Sequence, residues 1–149
     1  MYTSLLFLHS WLRWLALGAV VLVLLRSFRR LATSAPWSRN DTAWANGAAH
    51  TVSAQAVLGI LLYAVSPYIR GLLNNMGSVM QDKVSRLFVV EHAVIMILVV
   101  ALAHIGAARA RKAPLGKTAH TRAAIFFGIA LLLMGYAIPW MRPFFRAGL

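Results

Sequence analysis

Five histidines, His9, His50, His92, His104 and His120, hold most of the reactive chemistry in this sequence. An imidazole titrates near neutral pH and, when neutral, ligates metal ions through either ring nitrogen. The chain has no cysteine, which excludes disulfides, thiolate metal sites, iron–sulfur clusters and covalently attached c-type haem. Glu91 directly precedes His92 inside the apolar run "FVVEHAVIM". Arg13 follows His9 by four positions, so both lie on one helical face. Ionisable groups this deep in apolar sequence are costly and usually face a bundle interior.

The elements that must position these groups are set by composition. The 149 residues are 60% hydrophobic and 12% charged, whereas a soluble domain carries about a quarter charged residues. The net charge of +12 sits in short clusters flanking apolar stretches and forms no exposed stripe. It is therefore read as membrane topology, and nucleic acid is not expected as a partner. Four stretches reach the roughly 20 residues needed to cross a bilayer: 5–25, 48–68, 87–107 and 121–141. Their ends are marked by "RSFRR", "SPYIR", "ARARK" and "PWMRP". The first lacks a basic leading region and is read as a retained helix, not a cleaved signal.

Arg26, Arg29, Arg30 and Arg39 fill the first connection, and Arg109, Arg111, Lys112, Lys117 and Arg122 the third. The second has Arg70, Lys83 and Arg86 partly offset by Asp82, and the N-terminus has no basic residue. The positive-inside rule puts the first and third connections in the cytoplasm and both termini outside. The expected fold is one all-α, integral membrane domain, an antiparallel up-down-up-down four-helix bundle in a bacterial inner membrane.

Rise per residue converts these positions to depth. His9 and His92 fall at one level near the outer face, and His50 and His120 at another near the inner face. The levels are roughly 20 Å apart. In such a bundle helices one and three are diagonal, as are two and four, so each pair can face across the core. Two neutral imidazoles on facing helices, in an apolar slot, are what a b-type haem requires. A closed zinc site takes four ligands at one level, and no level here supplies them.

The expectation is therefore haem b at two sites, with iron ligated by His9 and His92 outside and by His50 and His120 inside. His104 lies twelve residues after His92, rotated about 120° from it, and reads first as interfacial, with a local hydrogen-bonding group and a replacement ligand on the inner side as the alternatives. Side chains tilt toward the helix N-terminus, carrying Arg13 toward Glu91. Arg13 is expected to pair with Glu91 or a haem propionate, and Arg86 is a second partner for that propionate. Gly18 and Gly59 can let helices approach or make room for a flat ring. Gln55 and Tyr63 are candidate lining for a quinone pocket, and Met96 and Met134 read as core filler.

The segments "LHSWLRW", "AHTVSAQAVLGILLYAVSP", "MQDKVSRLFVVEHAVIM" and "IPW" resemble those of small four-helix membrane proteins frequent in Bacteroidetes-type genomes and often labelled cytochrome b-like. The resemblance covers nearly the whole chain. The residues that match its histidine-bearing motifs are His9, His50, His92 and His120, with Arg13, Arg86 and Glu91 beside them; His104 has no place in the pattern. The leading expectation is an electron-transfer protein in the lipid bilayer, with quinol or a respiratory membrane complex as donor or acceptor and homo- or hetero-oligomerisation left open. The rival expectation is a cofactor-free accessory subunit whose His, Arg and Glu cluster fixes helix register. A proton or metal carrier is a third.

Overall fold

The computed structural model describes residues 1–113 and 115–140. Residues 141–143 of the stop read at "PWMRP", with the Met141 end of the fourth expected span, lie outside the described residues. Every element among the described residues is helical: α1 (Tyr2–Ala32), α2 (Arg39–Val65), α3 (Pro67–Leu73), α4 (Met76–Gln81), α5 (Lys83–Arg86), a π-helical turn (Leu87–Glu91), α6 (His92–Arg111) and α7 (Gly116–Ala137). Four helical units are long and apolar enough to cross a membrane: α1, α2, Lys83–Arg111 and α7. α1 packs on α2 and α7, and α6 packs on the same two helices. The first and third units therefore sit diagonally across the bundle.

Capping chemistry, not the end of the apolar pattern, sets where the helices stop. α1 continues past Leu25 to Ala32, giving 31 residues, about 46 Å of helix against about 30 Å of hydrocarbon. Arg29 and Arg30 occupy its last turn, where cations oppose the negative end of the helix dipole. The chain then leaves through a Schellman turn. Ala35 N–H donates to the Arg30 carbonyl and Ser34 N–H to the Leu31 carbonyl, with Ser34 at φ 50°.

Ser38 opens α2 with a reciprocal capping box. Its hydroxyl accepts from Asp41 N–H at 3.1 Å, and the Asp41 carboxylate accepts from Ser38 N–H at 2.9 Å. The same carboxylate receives Arg26 Nε at 2.6 Å, which ties α2 back to α1. Both helices thus run well beyond the apolar limits expected at Leu25 and Ala48.

Small side chains fill the interior. Ala16, Ala45, Ala48, Ala49, Ala103, Ala107, Ala123 and Ala130 are buried, with Val20, Val99 and Phe127 as the larger core groups. Large apolar residues lie outside: Leu132 is 76% exposed where Phe127 on the same helix is 0%. This small-in, large-out arrangement suits lipid, which solvates leucine as well as a protein core does and leaves close packing to hold helices together. Gly106 shows the closeness required, since a Cβ there would stand 2.5 Å from the Phe126 Cβ.

The third span is not one uninterrupted α-helix. Its first five residues, Leu87–Glu91, form a π turn that ends directly before His92. Bonds closing at i→i+5 insert about one extra residue into the helix, which rotates α6 by about 100° relative to an unbroken continuation. The Tyr63 hydroxyl of α2 donates to the Val89 carbonyl within this turn at 2.9 Å, pinning it to its neighbour.

Candidate functional site

His9 from α1 and His92 from the start of α6 meet across the bundle diagonal. Their ring centres are 6.3 Å apart with the planes at 73°. The level matching read from the sequence therefore corresponds to a real juxtaposition. Helix rise set the two depths, and the π turn sets the direction in which His92 leaves its helix.

The hydrogen bond made by His92 fixes what its ring can do. Nδ1 lies 2.8 Å from the carbonyl oxygen of Ala137. That carbonyl belongs to the last residue of α7, where helical carbonyls lack an intrahelical donor. A carbonyl oxygen only accepts, so Nδ1 carries the hydrogen. In the neutral ring Nε2 then holds the lone pair, the arrangement typical of a metal-ligating histidine.

His9 is held by different means. Gln55 of α2 donates its side-chain N–H to the His9 backbone carbonyl at 2.9 Å. Gly59, one helical turn further on, leaves the room in which the His9 ring sits. A Cβ at Gly59 would come within 3.2 Å of His9 Cε1. His9 Nδ1 and Gln55 Oε1 are both buried without a hydrogen-bond partner among the described residues. Gly18, by contrast, faces open space.

These groups border a cavity of about 330 Å³, whose wall includes His9, Arg13, Gln55, Tyr63, His92 and Met96. The volume lies at the low end of small-molecule sites, which run from about 300 to 1,000 Å³. Met96 and Met134, both in the wall, are flexible enough to give way to an occupant. Two imidazoles sharing one metal ion have ring centres roughly 6 Å apart, with about 2.0 Å of that from metal to each nitrogen. The observed spacing and the tautomer at His92 fit ligation of haem iron by this pair. No group of three or more His, Cys, Asp or Glu side chains suited to a metal ion occurs among the described residues.

The ion pairing around Glu91 differs from the expected one. Glu91 Oε1 accepts from Arg86 Nε at 2.7 Å, and Tyr136 donates to Oε2 at 3.4 Å. The expected Arg13–Glu91 pair is replaced by Arg86–Glu91. On an α-helix residues five apart point about 140° away from each other; the π turn between them brings these two together. Arg86 also donates Nη1 to the Met80 carbonyl, so two of its donors are spent within the chain. Arg13 remains in the cavity wall, with its guanidinium carbon 5.2 Å from the Trp14 ring centre.

The inner histidines are partnered differently from the sequence expectation. His50 faces His104 at 5.6 Å between ring centres, and both are exposed on the bundle exterior. His104 Nε2 also meets the Ser53 hydroxyl at 2.8 Å. His120 is buried, its ring 4.9 Å from that of Trp37. The two rings of the expected His50–His120 pair thus make their ring contacts elsewhere. His104 takes the place beside His50, and His120 packs under the α1–α2 connection. The rotation of about 120° between His92 and His104 already required different directions for the two. Apolar sequence all around both helices hid which direction faced inward.

Comparison with known proteins finds no matching family model, no matching curated protein and no matching solved structure.

Proposed function

We propose that this protein is a membrane b-type cytochrome holding one haem between His9 and His92. The single observation carrying the reading is the facing of these two rings across the bundle, with His92 Nδ1 committed to the Ala137 carbonyl. A bound haem would supply a one-electron couple. The chain supplies the two imidazoles, holds the Nδ1 proton of His92 away from the ligating nitrogen, and surrounds them with an apolar wall that excludes water. Arg13, in the same wall, offers a positive charge to a propionate or to an anionic quinone species.

The bundle is read as up-down-up-down, with the first and third connections in the cytoplasm and both termini outside. The reading includes a bacterial inner membrane, quinol or a respiratory complex as redox partner, and kinship with the cytochrome b-like family that the sequence resembles. A second inner haem is not part of the proposal, because His50 and His120 have other ring partners. One observation favours the rival accessory role. The Arg86–Glu91–Tyr136 contacts and the Tyr63–Val89 bond are satisfied within the chain, as a register-fixing network would be.

The test is optical. Protein purified after expression with haem supplied should show reducible Soret and alpha bands that vanish in His9→Ala and His92→Ala. An accessory subunit would show no bands in any form.

A further inference from the structure

A second cavity lies on the outside of the bundle where α1 leaves the apolar zone. It is formed by Leu22, Leu25, Arg26, Arg29, Arg30 and Thr33 of α1, with Trp44 of α2 as the facing wall, and encloses about 540 Å³. Residues 22, 25, 26, 29 and 33 recur at three- and four-residue spacing, so they run down one face of the helix. Along that face the chemistry changes once. Leu22 and Leu25 are 50% and 60% exposed on the apolar side, and the three arginines follow below them.

The charge there is not cancelled. Arg26 and Arg30 lie 2.6 and 3.9 Å from Asp41, the one carboxylate near them among the described residues. Asp41 is itself buried and already accepts from Ser38. Three guanidiniums against one carboxylate leave two positive charges facing the groove. Trp44 is 44% exposed at the same depth, as an aromatic at the membrane–water boundary should be.

We propose that this groove is a binding site for an anionic phospholipid. The phosphodiester meets Arg29 and Arg30, an acyl chain lies along Leu22 and Leu25, and Trp44 flanks the glycerol region. Arginine suits a phosphate because its planar fork donates two parallel hydrogen bonds, and basic pockets at the ends of membrane helices bind anionic headgroups in this manner. The two leucines distinguish a lipid from free phosphate, which gains nothing from an apolar wall.

Native mass spectrometry of the full chain, released from mixed phosphatidylglycerol and phosphatidylcholine, tests the site. The wild type should retain one phosphatidylglycerol in clear preference to phosphatidylcholine. Each arginine near the surface contributes about fivefold, so Arg29→Gln with Arg30→Gln should lower that preference roughly twenty-five-fold. The control pair Arg109→Gln with Arg111→Gln keeps the same net charge loss and should leave it intact. Arg26 is spared because its ion pair with Asp41 holds α1 to α2. Equal losses in both double variants would overturn the site in favour of general electrostatic attraction. Equal retention of inorganic phosphate or of deacylated glycerophosphoglycerol would also overturn it, by showing that the anion alone suffices.

Discussion

The Nδ1 atom of His92 lies 2.8 Å from the carbonyl oxygen of Ala137, so the first residue of α6 is tied to the last residue of α7. This contact satisfies a helix-terminal carbonyl and selects one imidazole tautomer. Nitrogen-15 NMR of histidine-labelled protein without added haem should find His92 neutral and protonated at Nδ1. Protonation at Nε2 instead would break the link between this hydrogen bond and ligation.

Two glycines separate the site from the packing. Gly59→Ala adds a methyl 3.2 Å from His9 Cε1, in a helix interior where alanine is favoured over glycine by about 1 kcal/mol. It should weaken haem retention severalfold while the melting temperature holds or rises. Gly106→Ala meets the Phe126 Cβ at 2.5 Å, an atom fixed to the backbone. That change should cost about 1–3 kcal/mol and leave the absorption spectrum of the folded fraction unchanged. Thermal unfolding and haem titration on both variants measure the contrast.

Deleting Val90 should convert the π turn to α-helix. The π turn holds about one extra residue, so removing it leaves α6 facing as before, the missing residue and the tighter winding offsetting each other. Haem binding should persist, with little change in helix content by circular dichroism. Loss of the parent spectrum in the Val90 deletion would show that the π turn is not what sets the direction of His92.

Asp41 is expected to matter for stability and not for the site. Its side chain is 2% exposed, receives Arg26 at 2.6 Å and completes the capping box with Ser38. Asp41→Asn leaves Arg26 short of its charged partner and should lower stability by about 1–3 kcal/mol. Calorimetry in detergent should show the loss, with the ratio of haem to folded protein unchanged.

How much of this was legible in the sequence depends on what each inference summed over. The four spans were legible because hydropathy over some 20 residues is a robust total. The levels of His9 and His92 were legible because helical rise is nearly constant. Pairing between His50 and His104 was not, because it depends on the rotation of each helix about its axis. A lipid-facing helix is apolar all round and shows no stripe to reveal that rotation. Arg86 and Glu91 were hidden for a related reason: five-residue spacing carries no contact signal until a π turn is present. The Ser38–Asp41 capping box in "SRND" was visible in principle, as a serine with an acidic residue three positions on. That box places the start of α2 at Arg39, well before the apolar limit at Ala48.

The most direct test of the central claim is a reduced-minus-oxidised spectrum combined with haem-to-protein stoichiometry on the purified wild type and five histidine-to-alanine variants. The account predicts one b-type haem per chain in the wild type and in His50→Ala, His104→Ala and His120→Ala. It predicts none in His9→Ala or His92→Ala. Absence of reducible bands in the haem-supplied wild type, or bands surviving in both His9→Ala and His92→Ala, would contradict it.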